Sequence, residues 1–160
     1  MEVQMGIKEL DREELKNALE LIWSVFQEFE APDYSEEGIN RFRDIIAIDS
    51  IIARIDNNEM AFWGSYDNDA LIGVIASANK NHITFLFVKK EYHRQGIGRS
   101  LWQTIIDCCK DDPGIKEITV NSTPYATEFY HRLGFMDLDR ENISHGIRFT
   151  PMRYVLVKGK

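Results

Sequence analysis

The residues best suited to chemistry lie in one loop, residues 88–101, with the sequence VKKEYHRQGIGRSL. Gly96 and Gly98 precede a helical pattern, and four basic side chains surround them against a single acidic one. The first turn of a helix leaves backbone N–H groups without acceptors, and the helix dipole is positive there. Glycine removes the Cβ that would keep a phosphate from the main chain. The pattern therefore predicts a phosphate site at the start of this helix.

Two classes of phosphate ligand are disfavoured because the loop lacks their motifs. A dinucleotide fingerprint requires a small residue where the chain has Leu101, and a P-loop requires Gly-Lys-Ser/Thr after a four-residue gap, which is absent. The plainer alternative is a tight turn between a strand and a helix, with its basic side chains in water. The loop alone does not separate a phosphate site from such a turn.

A longer stretch, FVKKEYHRQGIGRSL, resembles the acetyl-CoA pyrophosphate motif of the GNAT N-acetyltransferase superfamily, in which a strand is followed by Q/R-x-x-G-x-G/A at a helix start. Residues 93–98, His-Arg-Gln-Gly-Ile-Gly, occupy these positions, and His93 departs from the Gln or Arg of the pattern. A second match lies further on, where Asn121 closes a strand and FYHRLGF at 129–135 resembles the family's F-Y-x-x-L-G-F. Two motifs at this separation are far more specific than either alone.

The resemblance implies a role for each of these residues. The main chain of Leu86, Phe87 and Val88 would pair with the pantetheine arm, and the Val88 N–H would polarise the thioester carbonyl. Tyr130 is the implied general acid, which returns a proton to the CoA thiolate, and ordinary burial of a helix tyrosine is the alternative. The implied acetyl-CoA-binding residues are Leu86, Phe87, Val88, His93, Arg94, Gln95, Gly96, Ile97, Gly98, Arg99, Asn121 and Arg132, and no metal is expected.

Two of these positions have a plain structural alternative. Asn121 would bond the pantetheine or a water at a helix start, or simply cap the end of its strand. Arg132 would approach the 3′-phosphate of the nucleotide, or remain a solvated surface arginine.

The general base is not identified by the sequence. A substrate ammonium must lose a proton at neutral pH, and a Glu or Asp usually receives it. Glu28, Glu30, Asp33, Glu117 and His82 are candidates by location only, and most exposed carboxylates have no such role. Residues 1–50 hold 13 acidic and 5 basic side chains, which favours a cationic amine as the acceptor.

The elements that position these residues follow from alternating helical and strand patterns without repeat or linker, which predicts one α/β (α+β) domain over residues 1–160. The predicted strands are residues 3–10, 60–66, 70–78, 82–88, 115–121 and 152–157. The predicted helices begin near Asp11, Ser35, Gly98 and Pro124. The pattern indicates an antiparallel meander and then a crossover helix between two parallel strands. The resemblance adds a mixed, mostly antiparallel central sheet with helices on both faces and a splayed central parallel pair.

Composition restricts the class of protein. The 160 residues are 44% hydrophobic and carry a net charge of −7, which suits one buried core and argues against a nucleic-acid binder. There is no apolar run of membrane-spanning length and no secretory pattern at the N-terminus, so we expect a cytoplasmic protein without a membrane partner. The adjacent Cys108 and Cys109 are expected to be buried thiols rather than a disulfide or a zinc site.

We therefore predict an acetyl-CoA-dependent N-acetyltransferase. A primary amine, either of a small cationic molecule or of a peptide or protein, attacks the thioester directly in a ternary complex. The alternative is a non-catalytic acyl-CoA-binding sensor or docking module, which would not need a proton donor at Tyr130. Residues 145–156 are expected to pack as a strand, with a wall of the acceptor site or the edge of a homodimer as the alternative.

Overall fold

The computed structural model describes residues 5–156, which form an eight-stranded sheet with helices on both faces. The helices are α1 (Leu15–Phe29), α2 (Glu36–Ile45), α3 (Ile48–Asp56), α4 (Ile97–Cys109) and α5 (Thr127–Leu133). The strands are β1 (Met5–Glu9), β2 (Met60–Asp67), β3 (Ala70–Ala78), β4 (His82–Val88), β5 (Glu117–Ser122), β6 (Met136–Asp137), β7 (Asn142–Ser144) and β8 (Ile147–Val155). No helix in residues 5–156 is both long and apolar enough to cross a bilayer.

The first two helices begin at the predicted capping residues. Asp11 Oδ1 accepts a hydrogen bond of 3.1 Å from the Glu14 N–H, and Glu14 Oε1 accepts one of 3.1 Å from the Asp11 N–H, which makes a capping box before α1. Ser35 Oγ accepts from the Gly38 N–H at 3.1 Å and starts α2.

A third helix, α3, precedes the meander, so the prediction of two helices in this region is wrong. Ala47 is extended between α2 and α3, and its methyl group makes no capping hydrogen bond. A helix that begins without a capping side chain gives no local start signal, which is why the sequence pattern did not reveal it.

The sheet has the order β1-β2-β3-β4-β5-β8-β6, with β7 paired to β8. The predicted meander is confirmed, because β2, β3 and β4 are antiparallel neighbours in which Ala78 lies opposite both Met60 and His82. β4 and β5 are parallel, and α4 forms the crossover between them. The mixed, mostly antiparallel fold is therefore confirmed.

The parallel pair separates soon after it starts. β4 and β5 are paired only through His82 opposite Thr119 and Ile83 opposite Val120. β4 then continues to Val88 and β5 to Ser122 without further pairing between them. The predicted splay is thus confirmed, and it leaves an opening near the centre of the sheet.

Two apolar cores lie on opposite faces of the sheet. Phe26 of α1 and Phe85 of β4 belong to the core under α1, α2 and α3, while Ile105 of α4 belongs to the core under α4 and α5. Cys109 is buried in this second core, whereas Cys108 is exposed, which corrects the expectation that both thiols are buried. Neighbouring residues on a helix point about 100° apart, so only one of the two can face the sheet.

The outer strands differ in length from the predicted ones. The strand predicted over 152–157 is the longer β8, and Val157 lies outside the described residues. The strand predicted over 3–10 is β1, and residues 3 and 4 also lie outside the described part of the chain.

A close backbone contact joins α2 to the turn between β7 and β8. A Cβ at Gly38 would collide with the carbonyl oxygen of Gly146, and a Cβ at Gly146 would collide with the Ser35 hydroxyl. Gly146 also has a φ of +80°, a conformation that favours glycine. The two glycines therefore let α2 and the β7–β8 hairpin touch through their main chains.

Candidate active site

The predicted loop joins β4 to α4 and presents backbone donors at the start of the helix. Gly96 has a φ of +81° and directly precedes α4. The first helical hydrogen bond runs from the Ser100 N–H to the Gly96 carbonyl at 3.0 Å, so the N–H groups of Ile97, Gly98 and Arg99 have no acceptor within the helix. These donors make the start of α4 suitable for an anion.

Gly98 has a packing role that the sequence did not indicate. A Cβ at this position would lie 3.2 Å from Cζ of Phe129 in α5. The absence of a side chain therefore lets α4 and α5 approach each other beside the loop. Access to the main chain and close packing of the two helices depend on the same glycine.

The cationic side chains of the region differ in their partners. Lys90 Nζ lies 3.1 Å from Glu28 Oε1, and Arg132 Nη2 donates to Glu128 Oε1 at 2.6 Å. Arg94 and Arg99 make no ion pair with any residue in 5–156. Both arginines line the cleft described below, so their charge is available to an anion there.

The β4 edge that faces the opening carries main-chain groups without a strand partner. The Lys89 N–H donates to the Ile72 carbonyl of β3 at 2.8 Å, and alternate residues of a strand direct their main-chain groups to opposite sides. Leu86 and Val88 therefore point their N–H and C=O groups away from β3, toward the splay. The main chain of Phe87 faces β3, opposite Val74.

The loop, the open edge of β4 and α5 enclose a cleft of about 420 Å³, which we call the donor cleft. Of the residues predicted to bind acetyl-CoA or act on it, the structure brings eleven to this cleft: Leu86, Phe87, Val88, His93, Arg94, Gly96, Ile97, Gly98, Arg99, Tyr130 and Arg132. Gln95 is not among its lining residues and donates from Nε2 to the Glu91 carbonyl at 3.1 Å. Asn121 lines a different cavity, described below.

His93 stands where the motif prefers Gln or Arg, and it has a local partner. Its Nε2 lies 2.7 Å from the Val88 carbonyl oxygen, and its ring centroid lies 5.0 Å from that of Phe29. The imidazole thus occupies the open edge at Val88 and links the loop to α1. The N–H of Val88 is left on the side of the cleft.

The donor cleft fits the acetyl-CoA that the resemblance implies. Its backbone donors and its two arginines without an ion pair suit a pyrophosphate, and the unpaired edge of β4 suits the amide-containing pantetheine arm.

A second cavity of about 220 Å³, the inner cavity, lies on the α2 side of the splay. It is lined by side chains of α2, β4, β5 and β8, including Phe42, His82, Asn121 and Ile147. Ile147 brings the segment 145–156 into the wall of this cavity. Five residues line both cavities, namely Glu30, Leu86, Phe87, Ala126 and Tyr130.

Tyr130 is buried at the junction of the two cavities. It is 4% exposed, and its ring packs edge-on against Phe129 and Phe135 at centroid distances of 5.4 and 5.2 Å. No residue in 5–156 is hydrogen-bonded to its hydroxyl. Burial raises the pKa of the phenol, and the negative charge of Glu30 raises it further. Tyr130 therefore stays protonated near neutral pH.

Glu30 is the buried carboxylate of the site. It is 7% exposed, directly after the last residue of α1. Burial, and secondarily the negative charge of Asp33, raise the pKa of Glu30 to about 8. Thr123 opposes this rise, although its buried Oγ1 makes no hydrogen bond of acceptable geometry within the described residues. Sequence analysis includes Glu30 only as one of five candidate bases, because its burial depends on the tertiary structure.

The other candidate bases are engaged elsewhere or lie away from the junction. Glu28 is half exposed and paired with Lys90, and Glu117 lies 3.8 Å from Arg153 at the start of β5. His82 Nδ1 lies 2.8 Å from Thr119 Oγ1, and burial lowers its pKa. Asp33 lines neither cavity.

A family comparison covers most of the chain. Residues 30–156 match the family model described as an acetyltransferase (GNAT) domain. A curated relative, the UPF0157 protein YqkA of Bacillus subtilis strain 168, is 31% identical over 120 residues, which are 72% of this chain and 35% of that protein. The chain thus spans about a third of the length of this relative.

Solved structures share the fold. A GCN5-related N-acetyltransferase of Rhodopseudomonas palustris has a TM-score of 0.82 at 18% identity, with 98% of this chain and 99% of that chain covered. The PaiA N-acetyltransferase of Thermoplasma acidophilum, in complex with coenzyme A, has a TM-score of 0.79 at 23% identity over 96% and 99%. The spermidine N-acetyltransferase of Vibrio cholerae, in complex with CoA and spermine, has a TM-score of 0.65 at 16% identity over 95% of both chains.

The family match, the fold and the two sequence motifs agree with one another. The chain belongs to the GNAT acetyltransferase family.

Proposed function

We propose that the protein transfers an acetyl group from acetyl-CoA to a primary amine by direct attack in a ternary complex. The observation that carries this proposal is the meeting of two cavities at the splay between β4 and β5. The donor cleft has the features of a phosphate-binding site, and Glu30 and Tyr130 line both the donor cleft and the inner cavity. An amine in the inner cavity and a thioester in the donor cleft would therefore face each other across these two side chains.

The donor cleft holds acetyl-CoA through main-chain groups first. The N–H groups of Ile97, Gly98 and Arg99 bind the pyrophosphate, with Arg94 and Arg99 adding charge. The open edge at Leu86 and Val88 pairs with the pantetheine arm, and the Val88 N–H hydrogen-bonds the acetyl carbonyl. Bound acetyl-CoA supplies an acetyl group activated for attack by an amine.

The remaining predicted contacts are less direct. Gln95 and His93 hold the loop through bonds to the Glu91 and Val88 carbonyls. Arg132 reaches the 3′-phosphate only by exchanging its partner Glu128 for the ligand.

Tyr130 acts as the general acid in this proposal. Its phenol is protonated and has no protein partner to compete for its proton. It gives that proton to the departing thiolate. Neither Cys108 nor Cys109 lines either cavity, which supports direct attack over an acetyl-cysteine route.

Turnover of acetyl-CoA against a panel of primary amines tests the proposal. Release of the free thiol is followed while acetyl-CoA and amine are both varied. Intersecting double-reciprocal lines are expected for a ternary complex, whereas parallel lines would indicate an acetyl-enzyme. Tight binding of acetyl-CoA with no turnover of any amine would instead support the alternative of a non-catalytic acyl-CoA-binding module.

The homodimer expected from the sequence stays part of the proposal. Met136, Leu138, Ile143 and Val155 are large apolar residues near β6, β7 and β8 that are about half exposed or more. Such a group of side chains is typical of an interface. Sedimentation equilibrium gives the mass in solution, and a monomer at micromolar concentration would contradict the dimer.

A further inference from the structure

The inner cavity has mostly apolar walls. Its apolar and aromatic lining comes from four parts of the chain: Tyr34 before α2, Phe42 of α2, Phe85 and Phe87 of β4, and Ile147 of β8. Phe42 stands against both β4 phenylalanines, with ring centroids 6.0 and 6.1 Å apart. Walls of this kind bind the body of a ligand through apolar contact rather than through charge.

The charge of the cavity is confined to one side. Glu30 is the one carboxylate among its lining residues, and no lysine or arginine of residues 5–156 lines it. His82 adds no positive charge near neutral pH, because burial and the neighbouring Arg54 lower its pKa. A second ammonium or a carboxylate on the ligand would therefore lose water in the cavity without gaining a further oppositely charged partner, which is costly.

The size of the cavity sets a second limit. Its volume of about 220 Å³ is below the roughly 300–1,000 Å³ of sites for drug-sized ligands. A compact molecule fits, and a long or branched polycation does not fit as a whole.

We propose that the inner cavity binds a primary monoamine with a compact, uncharged, apolar body, and that Glu30 contacts the amino group and takes up its proton. This inference rests on the proposed function, since it names the acceptor and the base for the same reaction. The carboxylate lies at the junction with the donor cleft, where the attacking nitrogen must be. When it is ionised, this carboxylate pairs with the ammonium form of the amine.

The proton and bond changes balance through Glu30 and Tyr130. Glu30 accepts one proton from the ammonium, and the nitrogen lone pair forms the N–C bond to the acetyl group. The C–S bond breaks, and the Tyr130 hydroxyl gives its proton to sulfur. A second proton leaves the nitrogen and restores the phenol, while Glu30 releases its proton to water. The net products are the N-acetylamine, CoA and one proton.

Matched amines test the acceptor class on the 160-residue chain. Phenethylamine and phenylalanine share a body and differ in a carboxylate, and n-butylamine and 1,4-diaminobutane differ in a second ammonium. The member of each pair without the added charge is expected to have a kcat/KM roughly 100-fold higher or more, because the added charge finds no further oppositely charged partner in the cavity. Equal or reversed preference within both pairs would overturn the inference.

Glu30→Gln tests the base, with Glu28→Gln as the matched control on the exposed face of α1. Glu30→Gln is expected to lower kcat for phenethylamine about 100-fold, and to leave the Kd of acetyl-CoA and the Tm at pH 6 unchanged. Glu28→Gln should retain full kcat. Full activity of Glu30→Gln would overturn the role of Glu30, and the amine pairs test the cavity independently if the variant does not fold.

The two proposals fail in different ways. A clear preference for spermidine or for a lysine-containing peptide would overturn the monoamine acceptor and leave the acetyltransferase function intact. No turnover with any amine at saturating acetyl-CoA would overturn both.

Discussion

Glu30 and Tyr130 are the two ionisable side chains that line both the donor cleft and the inner cavity, and the charge of the carboxylate raises the pKa of the phenol. One lies just after α1 and the other in the middle of α5, so the fold alone brings them together. The carboxyl, with a pKa of about 8, exchanges its proton near neutral pH, while the raised pKa of the phenol keeps Tyr130 protonated.

Tyr130→Phe is expected to lower kcat by about 100-fold, the usual contribution of a general acid. The Kd of acetyl-CoA should stay within about twofold, because the hydroxyl has no protein partner and its loss leaves no buried group unpaired. Tyr125→Phe is the matched control, since Tyr125 also lines the donor cleft but is 50% exposed. Unchanged turnover of Tyr130→Phe would remove it from the mechanism.

Gly96→Asp is expected to abolish the thermal shift produced by acetyl-CoA. The new carboxylate would repel the pyrophosphate at the start of α4. Gly96→Ala separates charge from backbone strain: its Cβ meets no atom within 4 Å, but a φ of +81° costs an L residue roughly 1–2 kcal/mol. The alanine variant should therefore have a lower Tm and still be stabilised by the ligand. A full shift with Gly96→Asp would show that the loop does not bind phosphate.

Arg132→Gln is expected to weaken binding of CoA and not of dephospho-CoA, which lacks the 3′-phosphate. The side chain is 70% exposed and paired with Glu128, so the loss should be only roughly 0.5–1 kcal/mol, or twofold to fivefold in Kd. Arg153→Gln, on β8 beside Glu117, is the control. Equal effects on both ligands, measured by calorimetry, would place Arg132 away from this phosphate.

Glu30 is expected to make stability fall as pH rises. Its pKa is about 8 in the folded protein and 4.5 in the unfolded chain, so the folded state holds more protons between these values. Three tyrosines interact with Glu30, namely Tyr34, Tyr125 and Tyr130, and the charge interaction with Asp33 adds to the rise of its pKa.

Urea unfolding of the wild type and of Glu30→Gln measures how much Glu30 contributes to the pH dependence of the free energy of unfolding. Since one pKa unit is worth about 1.4 kcal/mol, the wild type should lose roughly 3–4 kcal/mol relative to the variant between pH 5 and pH 8. A difference that is constant over this range would mean that Glu30 is ionised in the folded protein at pH 5.

Hydrogen exchange tests the open edge of β4. The amides of Leu86 and Val88 are expected to exchange fast in the free protein and to become protected when CoA binds. Phe85 and Phe87 are internal controls, because the alternation of the strand directs their N–H groups toward β3. Protection of Leu86 and Val88 without ligand would contradict a free strand edge.

Local signals in the sequence predict the elements on either side of the loop that precedes α4. The capping residues Asp11 and Ser35 start helices, and the loop around Gly96 forms the expected junction of strand and helix. Each of these features is encoded within a few residues. Ala47 shows the opposite case, because α3 begins there without any capping side chain.

The acceptor side is not encoded locally. Glu30 has the sequence context of any carboxylate at a helix end, and its burial requires α5 and the splay of β4 to be in place. Ile147 and Phe42 meet around the inner cavity from distant parts of the chain. The phosphate motif predicts a role for Gly98 in the loop. Its close approach to Phe129 is not predicted, because it depends on how α4 and α5 pack.

The contact between Gly38 and Gly146 fixes a dimension of the acceptor site. Tyr34 and Ile147, which line the inner cavity, flank this contact, so the distance between α2 and β8 is set by two main chains rather than by adjustable side chains. Any larger residue at either glycine would move α2 outward and widen the cavity. The turn between β7 and β8 therefore sets the distance to α2. A single substitution at Gly38 or Gly146, remote from the reacting atoms, would broaden the range of accepted amines.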